Sequence, residues 1–566
     1  MKISYKHEIK PEDKLTPQQF IDLILKHRHI KDIDEFLNPP SPLTLTLNDF
    51  GSYNKSFKKA LKILTEIKEK NQMIVVYTDY DADGITGGAI LWETLFLMGF
   101  KVMPYVPHRK LEGYGFSKKG IDNIKKKFDP ALIISVDHGI TKIKEIEYAA
   151  SIGIKIIITD HHLKGDKIPE KAEAIFHIPA LSGSGVAYIF AKEIFNSFSP
   201  VQTQNFASLQ NNFSADYLAL ATIGTIADLV PLIGPSRSIV KHGLEAFKKT
   251  KRVGLKQIMR ESGIADKDIT PYDIGFIIAP RINAIGRLEH AIDALRLLCT
   301  NNEKKAYDLA HKIGNINIER QDLVKKSVEE AKKILAVKTQ NFASLPKIVV
   351  LISDHWHEGI IGLIASKIAE EFYRPTLVLT NTNLPAGRQA ITYKGSARSI
   401  SSFHITEFLR SLKKYLIDVG GHKQAAGFTI EKKQLDKFTK NAYKLAEKLI
   451  SDKDLERKIE ADLKIPLEKI NLSLVKSLEL LEPFGMGNPK PTFYSKGVLT
   501  GAQLLGKTNA HLRIFVDGYE FIAFNQAEKF KKISRGDSIN IIYTLEVDRW
   551  NGRERLKGFI KNFIQD

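Results

Sequence analysis

Apolar residues change rhythm repeatedly along the first third of the chain. Short runs, Val75-Val-Tyr77, Lys101-Val-Met-Pro-Tyr-Val106, Ala131-Leu-Ile-Ile-Ser-Val136 and Lys155-Ile-Ile-Ile-Thr159, are too brief for helices and read as buried strands. Between them, 54–70, 85–100, 117–127 and 141–152 carry apolar residues at helical spacing. Strand and helix in alternation predict an α/β fold with a parallel sheet.

Every strand of a parallel sheet delivers its last residues to one edge, where ligands bind. Here those residues are acids and histidines. The first run ends in Asp79-Tyr-Asp-Ala-Asp-Gly84. Alternate residues of an extended segment point the same way, so Asp79, Asp81 and Asp83 would crowd one spot and repel unless a cation sits among them. Asp and Gly also make ordinary turns, and the motif alone leaves both readings open. Two later strands end in Asp137-His-Gly139 and Asp160-His-His162, and a helical segment at 217–226 leads into Ala227-Asp-Leu-Val-Pro-Leu232. An aspartate within an apolar run is costly without a cation, which favours Asp228 as a ligand over a helix cap. Carboxylates with neutral imidazole suit Mn2+ or Mg2+. An aspartate shared by two such ions is the usual bridge of a two-metal site that hydrolyses phosphodiesters.

Beyond this region, 240–335 is mostly helical and charged, with 302–333 as one or two long exposed helices. Within it Pro280-Arg-Ile-Asn-Ala-Ile-Gly-Arg287 reads as a non-periodic loop, either a phosphate clamp or an interdomain salt bridge. A second α/β unit follows, with strands at 347–352 and 376–380 around a helix at 363–372. It contains Gly395-Ser-Ala-Arg-Ser399 and Gly420-Gly-His-Lys-Gln-Ala-Ala-Gly427, the latter a glycine-rich turn whose N–H groups can face a phosphate. His355-Trp-His-Glu358 lacks the i,i+4 histidine pair of a zinc protease, which rules that class out.

The last hundred residues alternate in short strands at 496–499, 512–516, 520–524, 538–545 and 555–560, predicting a small β-barrel of oligonucleotide-binding type. Lys507, His511, Arg513, Arg549, Trp550, Arg553 and Arg555 mix basic and aromatic side chains there, as a single-strand groove requires; a plain polar barrel face is the alternative. Residues 1–45 read as a short helical lead-in closed by Pro39, Pro40 and Pro42. Thr-Gln-Asn-Phe-Ala-Ser-Leu occurs at 203–209 and again at 339–345, so 201–212 and 338–345, with 381–393, read as inserted, exposed loops without an assigned role.

Composition narrows the choice. Lys and Arg number 84 against 65 Asp and Glu, a net charge of +19 that favours a polyanionic partner, although surface lysines also serve solubility. Cys299 is the single cysteine, so any metal must be held by oxygen and nitrogen. The absence of an 18-residue apolar run and the charged start Met1-Lys-Ile-Ser-Tyr-Lys-His-Glu8 point to a cytoplasmic protein.

From about residue 45 onward the chain resembles the DHH phosphoesterase superfamily, and within it the exonucleases specific for single-stranded DNA. The motifs that carry the resemblance are Asp79-Tyr-Asp-Ala-Asp-Gly84, Val136-Asp-His-Gly139, Asp160-His-His162, Gly224-Thr-Ile-Ala-Asp-Leu-Val-Pro-Leu232 and Gly421-His-Lys-Gln-Ala-Ala-Gly427. It implies a DHH catalytic domain at 46–235, a helical connector at 236–345, a DHHA1 substrate-binding domain at 346–452 and an oligonucleotide-binding barrel at 453–566. It implies Asp79, Asp81, Asp83, Asp137, His161 and Asp228 as ligands of two Mn2+ or Mg2+ ions, with Asp137 bridging. Asp160 and His162 join them as catalytic residues, His162 facing the scissile phosphate. Arg109, Arg281, Asn283, Arg287, His357, Ser396, Arg398, Gly421, His422 and Gly427 become substrate contacts.

The implied activity is 5′-to-3′ hydrolysis of single-stranded DNA in repair and recombination. The alternative is a phosphodiesterase for short oligonucleotides or cyclic dinucleotides, which needs only the two α/β lobes and leaves the barrel without a use. A monomer is expected, with a single-strand-binding protein or a helicase as candidate partner. Two departures from the pattern stand out. His177-Ile-Pro replaces the common Asn-Pro pair after a shortened connection, and His138, where Cys or Asn is frequent, is either a further metal donor or a solvated neighbour.

Overall fold

The computed structural model describes residues 2–198, 204–339, 344–382, 391–530, 533–550 and 552–565. They divide into two units, one of residues 4–314 with 460–566, the other of residues 315–459 with the first three.

The first unit is built on a five-stranded, wholly parallel sheet in the order Val102–Tyr105, Ile74–Thr78, Leu132–Val136, Lys155–Asp160, Ala174–His177. Ile74–Thr78 and Leu132–Val136 are buried along their whole length, which is why they read as unbroken apolar runs. The chain leaves Ile74–Thr78 on one side for Val102–Tyr105 and then returns to its other side for Leu132–Val136. The connections thus diverge between the two central strands, opening a crevice at their carboxyl ends. The fifth strand is not foreseen by the sequence reading: four residues, Ala174–His177, give too short a pattern to register. Helices Ala82–Leu97, Gly183–Phe198 and Asp216–Ala227 pack together beside this sheet, and their small residues allow the close approach.

The carboxyl-terminal strands close into a ring. Phe493–Leu505, His511–Val516, Tyr519–Ala523, Arg553–Gln565 and Ser538–Trp550 are neighbours in that order, and Ser538–Trp550 pairs back onto Phe493–Leu505. This is the expected five-stranded barrel. The amino-terminal segment proves to be more than a helical lead-in. It opens with a strand, Lys2–Glu8, alongside Lys458–Lys464, and helix Pro17–His27 buries Phe20, Ile21, Ile24 and Leu25 in the same apolar core as Leu463, Phe493 and Ile541. An amphipathic helix with a Thr16 capping box needs such a face to cover, and the barrel supplies it.

Two further expectations change. Pro280 to Arg287 is not a loop: it lies in helix Ala279–Leu288, entered through a π-helical turn at Ile274–Ile278 that disrupts the apolar period read from sequence. The first copy of the repeated heptapeptide falls largely in helix Gln204–Ser214, where Leu209 and Phe213 are buried, so it is not an exposed loop. Residues 201–203, 340–343 and 383–390 of the three expected insertions lie outside the described residues.

Helix Glu303–Lys338, 36 residues long, carries the chain from the first unit into the second. The second unit holds a mixed sheet in the order Leu416–His422, Ala425–Glu431, Thr392–Arg398, Thr376–Asn381, Val349–Ile352. The last two strands are parallel and the others antiparallel. The expected glycine-rich turn is here a hairpin: Gly420, Gly421 and Gly427 sit within its strands, and Lys423-Gln424 make the turn.

Candidate metal centre

At the crevice each strand end supplies its acid. Asp79 is the first residue beyond Ile74–Thr78 and is fully buried. Asp81 caps helix Ala82–Leu97, its Oδ1 accepting the N–H groups of Asp83 at 3.0 Å and Gly84 at 3.1 Å. Asp83, in the first turn of that helix, accepts from Gly183 N–H at 2.6 Å and Ser184 N–H at 2.8 Å, the first residues of helix Gly183–Phe198. Two glycines let these groups close up: a Cβ on Gly183 would lie 2.4 Å from Asp137 Oδ1, and one on Gly224 2.2 Å from Asp83 Oδ1. Asp137 follows Leu132–Val136 with φ +69°, a left-handed conformation that aspartate tolerates better than most residues. His161 follows Lys155–Asp160, and its Nε2 lies 3.1 Å from Asp137 Oδ1, 3.5 Å from Asp228 Oδ2 and 3.9 Å from Asp83 Oδ2.

These donors form overlapping trios. Asp83, His161 and Asp228 make one; Asp79, Asp81 and Asp137 another; Asp137, His161 and His162 a third, with ligand atoms in each within 4.8 Å of one another. Among the described residues both carboxylate oxygens of Asp79, Oδ1 of Asp137 and Nε2 of His161 are buried without a hydrogen-bond partner. Asp137 Oδ1 and His161 Nε2 are close yet not aligned as donor and acceptor, so they converge on shared space rather than bond each other. Burial and then the neighbouring Asp81 drive the Asp79 carboxyl well above the usual carboxylate range; burial and Asp83 do the same to Asp137. Asp228 is pushed up to about 8 by burial and by Asp83 and Asp81, although a third of its side chain, 33 %, reaches solvent. A cluster that disfavours its own charge and leaves its best acceptors unbonded fits a pair of hard divalent ions.

Asp160 differs from these acids. Its oxygens accept N–H groups from Ile140 at 2.9 Å, His161 at 2.7 Å and His162 at 3.1 Å, and Oδ1 also meets His162 Nδ1 at 2.8 Å. Burial works against its charge, but His162 and the backbone donors outweigh burial and hold it well below the usual range. In return, and against the cost of burial, Asp160 raises His162 to about 9. Two residues that the sequence reading left out of the site complete this arrangement. Tyr114 Oη lies 2.9 Å from His162 Nε2 and donates to Asp137 O at 3.1 Å, and His177 Nε2 lies 2.6 Å from His162 O. A tyrosine in a loop carries no sequence signal of such a role. His138 takes neither expected part: it is 1 % exposed, packed edge-on against Tyr77 and Phe116, with Nε2 at 3.0 Å from Tyr77 O, and burial pushes it down to about 3.

The expected substrate contacts fall into two sets. In the first unit Arg109 lies over the Tyr80 ring at 5.0 Å, and Asn283 Oδ1 accepts Ala82 N–H at 2.7 Å, pinning the helix that carries Asp83. Gly286 passes against Tyr80 O, which brings helix Ala279–Leu288, and Arg287 with it, to the aspartate motif. Arg281 is tied to Glu261 at 3.1 Å and to Ile277 O at 2.9 Å, a salt bridge within the first unit and not the interdomain one expected as the alternative. In the second unit strand pairing sets Gly427 opposite Ser396 and Ala425 opposite Arg398. Arg398 donates to Ser396 Oγ at 3.3 Å and Ala397 O at 2.8 Å. His357 Nδ1 accepts Gly359 N–H at 3.1 Å, and His422 O accepts the Thr406 hydroxyl, both local contacts. On the barrel, Arg513 pairs with Glu520, and Arg549 with Glu479 and Glu554, while Lys507, Arg553 and Arg555 are exposed.

Comparison with known proteins agrees with this layout. Family models match in three places: the DHH family amino-terminal domain at residues 73–225, the DHHA1 domain at 345–448 and the RecJ OB domain at 461–562. The single-stranded-DNA-specific exonuclease RecJ of Thermus thermophilus is 31 % identical over 508 residues, covering 88 % of this chain and 69 % of that protein. That of Bacillus subtilis is 32 % identical over 522 residues, 90 % of this chain, which spans 63 % of the relative's length. The crystal structure of Thermus thermophilus RecJ in complex with Mn2+ superposes with a TM-score of 0.80 at 27 % identity, over 100 % of this chain and 80 % of that one. The Mg2+ complex gives 0.73 at 25 % identity, over 99 % and 78 %. With the strand-end acids from Asp79 to Asp160 inside the DHH match, the hairpin inside the DHHA1 match and the closed barrel, up to residue 562, inside the RecJ OB match, the chain belongs to the RecJ family of the DHH superfamily.

Proposed function

We propose that this protein is a metal-dependent exonuclease that hydrolyses phosphodiester bonds of single-stranded DNA from 5′ to 3′, in DNA repair and recombination. The observation that carries the reading is the convergence of buried, unbonded acceptors from three strand ends with Asp228. Asp83, His161 and Asp228 would hold one ion, Asp79 and Asp81 the other, and Asp137 both. Two bound divalent ions supply an activated water and neutralise charge on the reacting phosphate oxygens. The protein does the rest. The Asp160 carboxylate on Nδ1 orients His162 and favours its cationic form, a positive charge suited to lie beside the scissile phosphate. Tyr114 holds the far side of that ring. Asn283 steadies the turn from Asp81 into its helix.

Arg287 and Arg109 beside the aspartate motif, and Ser396 with Arg398 on the strand that pairs with the glycine-bearing hairpin, are the proposed holders of backbone phosphates, since guanidinium groups bind phosphate bidentately. Lys507, Arg553 and Arg555 would guide the strand across the barrel, with a salt dependence proportional to the phosphates contacted. The barrel and the surplus of 19 positive charges favour long strands over dinucleotides as substrate. We further assign the protein to the cytoplasm as a monomer, acting on strands exposed by a helicase or a single-strand-binding protein. Among the described residues no helix is long and apolar enough to cross a membrane.

The test is digestion of long single strands tagged at the 5′ or the 3′ end, with Mn2+ or Mg2+, beside duplex, RNA and dinucleotide substrates. Early release of the 5′ tag with the 3′ tag retained is expected. Preference for the dinucleotide would overturn the reading.

A further inference from the structure

Asp228 stands on unusual support. It follows the last turn of helix Asp216–Ala227, and the next residue, Leu229, is a non-glycine at φ +58° with 63 % of its surface exposed. A leucine held left-handed is strained, and it stays so only where the chain is fixed on both sides. Upstream the helix end does this, Val230 N–H reaching back to Thr225 O at 3.3 Å. Downstream the fixing group comes from more than 250 residues away in sequence. Leu232 N–H donates to Met486 O at 2.7 Å, in a tight turn closed by Gly485 and Asn488, whose N–H groups bond each other's carbonyls at 2.9 Å and 3.2 Å.

The fit of this turn against the Asp228 loop leaves no slack. A Cβ on Gly485 would sit 2.6 Å from Leu232 Cδ1, and one on Gly487, itself at φ +73°, 2.9 Å from Pro231 Cβ. Asn488 is fully buried and organises the turn, donating to Leu481 O at 2.7 Å and Pro483 O at 3.0 Å while accepting from Arg28 of the amino-terminal helix. Arg237, on helix Gly234–Lys249 just past the loop, is also fully buried. It donates to Leu481 O, Glu482 O and Pro483 O and to Phe36 O, with its guanidinium 3.8 Å over the Phe36 ring. The same short stretch is thus clamped twice.

We infer that Gly485-Met486-Gly487-Asn488 is a positioning element for the metal centre: it sets the place of Asp228 through Pro231 and Leu232, and so ties the metal ligand to the barrel and the amino-terminal helix that hold the turn. The inference rests on the reading of Asp228 as a ligand. None of the four residues reaches the reacting atoms; their effect passes through the loop. Groups that orient a ligand in this way commonly change metal affinity by about 10- to 100-fold when altered.

The experiment compares full-length wild type with Gly485→Ala, Gly485→Ala/Leu232→Val and Asp228→Asn, all freed of metal. It measures Mn2+ affinity by calorimetry, folding by circular dichroism, and kcat and KM on a single strand. Expected are native spectra throughout, Mn2+ affinity lowered about tenfold in Gly485→Ala with kcat down and KM little changed, and recovery in the double variant, which lacks the Cδ1 atom the new methyl meets. Unchanged Mn2+ affinity in Gly485→Ala beside a weakened Asp228→Asn would overturn the inference alone. Unchanged affinity in Asp228→Asn would overturn the ligand reading beneath it. If Gly485→Ala fails to fold, Leu232→Val and Gly487→Ala are measured in its place, and retained affinity in both counts against the inference.

Discussion

Two five-stranded sheets in this protein treat their polar residues in opposite ways. In the parallel sheet the strands themselves are apolar, and the chemistry lies just beyond their ends, where Asp79, Asp137 and His161 arrive from separate strands and remain unbonded. In the mixed sheet Ser396, Arg398 and Gly427 lie within antiparallel strands, Ser396 opposite Gly427 and Arg398 opposite Ala425, and Arg398 bonds locally to Ser396. Parallel pairing needs long connections, so it gathers residues distant in sequence and can concentrate like charge at one point; antiparallel pairing sets residues of neighbouring strands side by side along a face. The first arrangement suits a cation centre and the second an extended anion.

The comparison breaks most sharply at Asp137. Asp137→Ala removes the acid common to two donor trios and is expected to lower turnover at least a thousandfold, about 4 kcal/mol at the transition state, with affinity for single-stranded DNA within about twofold of wild type. Activity near wild type in a stopped assay with Mn2+ would remove the two-metal centre from consideration.

Arg398→Ala should do the reverse. Loss of a bidentate phosphate contact is expected to raise KM about tenfold while kcat changes little. A fall in kcat with KM held would mean that Arg398 acts in the chemical step.

The smallest expected effect is on stability, and its sign distinguishes the sheets. Asp79, Asp137 and Asp228, the last raised to about 8, keep protons in the metal-free fold that the unfolded chain has already released. The metal-free fold therefore loses stability as pH climbs from the ordinary carboxylate range through about 8. Bound metal replaces those protons. Mn2+ should accordingly raise the melting temperature more at pH 8.5 than at pH 6, by a few degrees in thermal scans. An equal or larger shift at the lower pH would contradict the raised carboxyls.

The barrel invites a deletion that the structure advises against. Its core includes Phe20, Ile21 and Ile24 from the amino-terminal helix, so removing 453–566 would strip that helix of its apolar cover and confuse lost binding with lost folding. Point changes at Lys507 or Arg555 keep the core intact.

The sequence by itself determined the strands that carry the site, because buried parallel strands must be apolar throughout and the residues that end them stand out against that background. It also supplied the aspartates, His161 and Asp228, whose convergence at one sheet edge has no cheap explanation but a cation. It missed the strand Ala174–His177, too short to show a period, and the helix over 279–288, whose period is broken by a π-helical turn. It misjudged His138, since a histidine packed between aromatic rings reads in sequence like one in a site. Tertiary structure alone decided which acids are satisfied: Asp160 spends its oxygens on backbone N–H groups and His162, while Asp79 keeps both unbonded, though each is a buried aspartate at a strand end. It alone brought Tyr114 to His162, and Met486 to the loop of Asp228. A linear pattern records which surface each residue prefers; which partner it meets there depends on how distant elements pack.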